Sequence, residues 1–75
     1  MKLSKTFSGQ YELNTNVDGL EVRVEATTQS YGGFSYSCYV NDMLMGCDGY
    51  TGLKLGNIKK NLESIVNDSI EQYRS

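Results

Sequence analysis

No histidine occurs anywhere in this chain of 75 residues. Its absence removes the commonest general base, the usual activator of a serine or cysteine nucleophile, and the commonest metal-binding side chain. Cysteine is scarce too. Cys38 and Cys47 are the only two, too few for a cysteine-only zinc site and without the histidines that complete a mixed one. No apolar run approaches the ~20 residues of a membrane helix. Met1 to Ser8 alternates as a strand does, and lacks the charged segment and apolar core of a secretion signal. A cytoplasmic location is therefore expected. Basic residues are also in short supply, with seven Lys and Arg against nine Asp and Glu. A general nucleic-acid binder neutralises phosphates with clustered cations. A mildly acidic chain suits a basic protein surface better, although a net charge of −2 steers weakly.

Phosphate and calcium loops are missing as well. Gly46, Gly49, Gly52 and Gly56 lack the Lys-Ser/Thr pair and the strand-to-helix spacing of a nucleotide cradle. Asn41-Asp42 with Asp48 lacks the spacing and terminal glutamate of a calcium loop. Glu21 with Glu25, and Asp68 with Glu71, fall on solvated faces, which are poor settings for acid–base catalysis. No enzyme, cofactor or metal site is expected.

The residues present describe one small domain over 1–75, which buries only about 60% of its unfolded surface. Leu3, Phe7, Tyr11 and Leu13 alternate with Ser4, Thr6, Ser8, Gln10, Glu12 and Asn14, the pattern of a half-buried antiparallel strand. Asn16, Asp18 and Gly19 supply turn chemistry. The alternation resumes with Leu20, Val22, Val24 and Ala26 against Glu21, Arg23, Glu25 and Thr27. Ser30 to Gly33 breaks it. A third strand then sets Phe34, Tyr36, Cys38 and Val40 against Ser35, Ser37 and Tyr39, and a turn at Asn41-Asp42 leads to a short fourth strand, Met43 to Cys47. Asp48 to Gly56 reads as a loop. Ile58, Leu62, Ile65, Val66, Ser69, Ile70 and Tyr73 then form one helical stripe, N-capped by Asn57 and about 27 Å long. The fold class is α+β: a three- to four-stranded antiparallel sheet in β-β-β-β-α order, with one amphipathic helix on one face and the other face open.

Cys38 and Cys47 face the same way in this reading. A two-residue turn at Asn41-Asp42 leaves them diagonal and hard to bridge, whereas a four-residue turn sets them opposite each other, within disulfide reach. A reducing compartment favours free thiols, and a disulfide clip is the alternative.

Six tyrosines crowd the chain. Tyr11, Tyr36 and Tyr73 belong to the core side. Tyr31 and Tyr50 sit in glycine-flanked loops, and Tyr39 projects from the open sheet face. Tyrosine is favoured at binding hot spots because it covers much area at little entropic cost; the other role open to these rings is as lids over the loops. Leu44 lies near Tyr39, and Glu21 and Glu25 sit in the surrounding polar rim, so Tyr31, Tyr39, Leu44, Tyr50, Glu21 and Glu25 are the candidate partner-binding residues. A second cluster, Lys54, Lys59 and Lys60, gathers where the loop enters the helix. It is a candidate anion site at the helix N-terminus, although Lys59 and Lys60 oppose the macrodipole there.

In size, charge and β-plus-α build the whole chain resembles the small acidic phage-encoded inhibitors of host defence, anti-CRISPR proteins among them. The resemblance implies an inhibitor or adaptor that occludes the surface of a protein partner. The alternative is a small nucleic-acid-binding or regulatory domain acting through Lys54, Lys59 and Lys60, for which a strand edge or the open face offers a route to a homodimer.

Overall fold

A computed structural model describes the backbone of residues 1–75 and every side chain except those of Tyr50 and Thr51. Five strands form one antiparallel meander, β1 (Ser4–Phe7), β2 (Gln10–Val17), β3 (Leu20–Thr28), β4 (Phe34–Val40) and β5 (Met43–Leu53), in the spatial order β1-β2-β3-β4-β5. Two helices follow, α1 (Leu55–Lys60) and α2 (Leu62–Arg74). The α+β class with a C-terminal helix on one sheet face is as the sequence pattern implies, with more strands than the three to four expected. Among the described residues no helix is long and apolar enough to cross a membrane.

The extra strand comes from the first segment, which folds back on itself at Ser8-Gly9. Gly9 holds φ +76°, a left-handed conformation that a residue with a Cβ rarely adopts. Period-two alternation runs straight through this turn, so polarity alone hides it. Phe7, expected on the buried side, ends β1 opposite Gln10 beyond a register irregularity and is 69% exposed.

The central strands follow the pattern closely. Leu13, Val24, Cys38 and Gly46 form one cross-strand row, and Val22, Val40 and Met43 another. The inward residues of these rows meet Ile58, Leu62, Ile65, Val66 and Ile70 to form the core. α2 crosses β4 and β5, and its helical stripe is buried as the periodicity requires.

The helical segment departs from expectation at both ends. It begins at Leu55 with Lys54 in the N-cap position, and no side chain caps it. The Asn57 cap is therefore not formed. At Asn61 the backbone leaves helical geometry (φ −102°, ψ 12°). The Asn61 side chain donates to the Asn57 carbonyl at 2.8 Å, which that residue's own N–H also reaches at 3.1 Å. Asparagine competes for backbone groups in this way, and here it splits one helix into a short and a long piece.

β5 runs further than the expected Met43–Cys47 and includes two irregularities. Cys38 pairs with Gly46 while Tyr39 pairs with Leu44, so Met45 is an extra residue. Further along, Tyr36 pairs with Asp48 and Phe34 with Leu53, again with surplus residues on β5. Gly52 makes that detour possible: it holds φ +90° and passes so near Gly33 that a Cβ on Gly33 would lie 2.7 Å from its Cα.

Candidate partner-binding face

Both helices pack on one side of the sheet, so the other side presents the alternate residues of every strand. Asn14, Arg23, Tyr39 and Leu44 form one continuous cross-strand row on that face. Leu44 is 51% exposed. Arg23 lies over the Tyr39 ring, its guanidinium carbon 4.5 Å from the ring centroid, a cation–π arrangement.

Two carboxylates hold that arginine. Asp42 Oδ1 accepts a hydrogen bond from Arg23 Nη1 at 3.2 Å. Glu25 Oε2 lies 3.3 Å from Nε. Nε is closed to solvent and has no hydrogen-bond partner, so the Glu25 contact is an ion pair without hydrogen-bond alignment. The adjacent row sets Glu12 directly opposite Glu25, with Ser37 and Cys47 beyond. Glu21 sits opposite Asn16, and its backbone is clamped to the β4–β5 turn: its N–H donates to Asn41 Oδ1 at 3.0 Å and its carbonyl accepts from Asn41 N–H at 2.8 Å. Asn14, Asn16, Glu21, Arg23, Tyr39 and Asp42 line a depression of 390 Å³ beside the row. The face therefore carries Glu12, Glu21 and Glu25 against a single arginine that is already paired.

The fold thus brings Tyr39, Leu44, Glu21 and Glu25 together. Tyr31 is exposed but stands apart, in the turn between β3 and β4. Phe34 to Tyr39 along β4 is about 17 Å of strand, so Tyr31 lies at the other end of the sheet. The side chain of Tyr50 lies outside the described residues.

The lysine cluster is rearranged by the helix break. Lys59 and Lys60 occupy the last turn of α1 and complement its dipole, instead of opposing the first turn of one long helix. Lys59 Nζ rests 5.4 Å from the centroid of the Tyr11 ring. Lys54 alone stays at the helix start, and a helix of six residues has little dipole to offer an anion.

Two features were missed by sequence reasoning. The Met45 bulge moves Cys47 to the open face opposite Ser37, while Cys38 stays buried, so the two thiols lie on opposite sides of the sheet and both are free. Arg23, read as one polar residue among several, organises the whole patch. Its position opposite Tyr39 follows from register, and register is not visible in one strand at a time. Among the described residues no group of three or more metal-binding side chains converges. No protein-family model, no curated protein and no solved structure matches this chain.

Proposed function

We propose that this chain is a non-enzymatic protein-binding module, an inhibitor or adaptor that works by covering a surface of its partner. The observation that carries the reading is the Arg23–Tyr39–Leu44 row. It is an ordered apolar and aromatic centre on a sheet face that neither helix covers, ringed by Glu12, Glu21, Glu25 and Asp42. A buried aromatic anchor inside a polar rim is the anatomy of a protein interface. The acidic rim favours a partner with basic side chains around an apolar pocket, and suppresses binding to a phosphate backbone. The resemblance in build to small phage-encoded inhibitors is the ground for proposing a host-defence protein as that partner.

The test is capture from nuclease-treated lysate of the source host, using the wild type, Leu44→Glu and Tyr39→Ala, each confirmed folded by its melting curve. The expected result is one stoichiometric protein, retained by the wild type and lost by both variants. Removing an aromatic hot spot costs about 2 kcal/mol or more, roughly a thirtyfold loss of affinity. A partner retained equally by all three would place binding elsewhere. Recovery of nucleic acid from untreated lysate, abolished by salt and by Lys59→Glu with Lys60→Glu, would replace this reading with the nucleic-acid one.

A further inference from the structure

On the helix-bearing side, a groove of 570 Å³ runs between β5 and α2, within the size range of ligand pockets. β5 is the last strand of the sheet, so its outer backbone edge has no strand partner. Met45, Leu53 and Ile65 give the groove an apolar stretch, and Tyr36, Asp48 and Asp68 give it a polar end. No lysine or arginine is among the residues that line it.

The two carboxylates come from different elements. Asp48 is directly opposite Tyr36 in the β4–β5 ladder, and Asp68 projects from α2. Among the described residues neither has a lysine or arginine within ion-pair distance, and Asp48 accepts a hydrogen bond from the N–H of Gly49 at 2.7 Å. Burial raises the pKa of the Tyr36 phenol above its ordinary value, and Asp48, then Cys38 and Cys47, and last Asp68 push it further up. Both carboxylates are exposed, and with Tyr36 they form the polar part of the groove's lining.

We propose that this groove is a second protein-docking site, which receives an arginine or lysine side chain from an extended basic segment of a partner and sets its cation between Asp48 and Asp68. Charge complementarity selects the occupant. A long basic side chain lays its aliphatic stem along Met45, Leu53 and Ile65 and delivers its charge to the two carboxylates, and the Tyr36 hydroxyl, kept protonated, remains a neutral neighbour. The free edge of β5 lies alongside to take the segment's backbone, although the bulges in β5 keep that pairing short. This site is on the opposite side of the sheet from the Arg23–Tyr39–Leu44 row and stands independently of it. Where both are occupied, the chain bridges two partners.

The experiment uses the full chain, isotopically labelled, titrated with a short Gly/Ser peptide bearing arginine and with the same peptide bearing glutamine instead. The expected result is amide shifts centred on Tyr36, Asp48, Ser64 and Asp68 with the arginine peptide alone, weakening as salt is raised. Asp68→Asn and Asp48→Asn should each lower affinity about three- to tenfold, and Leu44→Glu should leave it unchanged. Both asparagines keep an acceptor oxygen, so the fold survives and a melting curve verifies it. Three results would overturn the proposal: equal binding of the glutamine peptide, unchanged affinity in both asparagine variants, or shifts confined to the open face. A concentration-dependent dimer that Asp68→Asn dissolves would also overturn it, by showing that a second copy of the chain fills the groove.

Discussion

Gly46 lies under α2, and its missing side chain sets how closely that helix can approach the sheet. A Cβ built there would stand 2.9 Å from Ser69 Oγ, well inside ordinary van der Waals contact. Among the described residues Ser69 is the buried polar residue of the core, 3% exposed, and its hydroxyl faces the thiol of Cys38, the residue directly opposite Gly46. Gly46→Ala therefore has two ways to relax, and both carry a cost. Pushing α2 outward strains a packed core by about 1–3 kcal/mol. Rotating Ser69 takes its hydroxyl away from the Cys38 thiol, at a cost of about 0.5–1.5 kcal/mol. Against this, Gly46 is not at positive φ, so alanine fits the backbone and restricts the unfolded chain, a gain of about 0.4–1 kcal/mol. The cheaper route governs, so the net expectation is a loss of up to about 1 kcal/mol, or a few degrees of melting temperature in a domain of this size.

The same substitution made in a Ser69→Ala background meets no Oγ. There it should be neutral or stabilising by up to about 1 kcal/mol. The double-mutant cycle, read by urea denaturation followed by circular dichroism, then gives a coupling of about 0.5–1.5 kcal/mol. Gly46→Ala equally harmful in both backgrounds, or stabilising in the wild type, would refute the reasoning and the depth at which α2 sits.

The remaining predictions concern the core, the thiols and one turn. Leu62 is 2% exposed, and Leu62→Ala should cost about 2–5 kcal/mol, most of the stability of so small a domain, as measured by chemical denaturation. Thiol titration should find Cys47 reacting at once and Cys38 only in denaturant, because Cys38 is fully buried; two fast thiols, or none, would contradict the bulge at Met45. Burial raises the Cys38 thiol above its ordinary value of 9.0, partly offset by the Ser69 hydrogen bond, and raises the Tyr36 phenol above 10.0. Both acids thus release their protons more readily in the unfolded chain. Their contribution is complete below about pH 9 and is lost as pH rises through the folded values, and Cys38→Ala should flatten the first part of that decline. Asn41 holds φ +50°, accepts from Glu21 N–H and donates to the Tyr73 hydroxyl at 3.1 Å. Asn41→Ala should cost about 1–3 kcal/mol and Asn41→Gly distinctly less, because glycine relieves the backbone strain and loses only the bonds.

The expected binding patch was partly legible. Tyr39, Leu44, Glu21 and Glu25 were assignable to one face because period-two alternation fixes the side of the sheet independently of pairing. Tyr31 was grouped with them because loop position says nothing about which end of the sheet a loop closes. Lys59 and Lys60 were read as opposing a helix dipole because the apolar stripe continues unbroken across Asn61, whose polarity is no obstacle at an exposed position. The groove between β5 and α2 left no trace in the sequence. The sequence pattern puts Asp48 in a loop, whereas it lies in β5; Asp68 stands on an exposed face, as the helical pattern requires.

The sequence by itself determined the layers. Alternating apolar residues from Leu13 to Val40 and the helical stripe from Ile58 to Ile70 admit only a sheet covered on one side, since each pattern must bury its apolar face against the other. Local chemistry also determined the turns at Asp18-Gly19 and Asn41-Asp42, where both central residues take positive φ. Only the tertiary structure decided the reversal at Ser8-Gly9, the surplus residues of β5 and the break at Asn61. Each shifts register or direction without altering the polarity pattern; the first two meet distant chain, where Thr28 donates to the Gly9 carbonyl and Gly52 meets Gly33, and the break at Asn61 is held by its bonds to Asn57. A one-residue bulge sends every following side chain to the opposite face. That is why the sides on which Cys47 and Asp48 lie belong to the fold and not to the pattern.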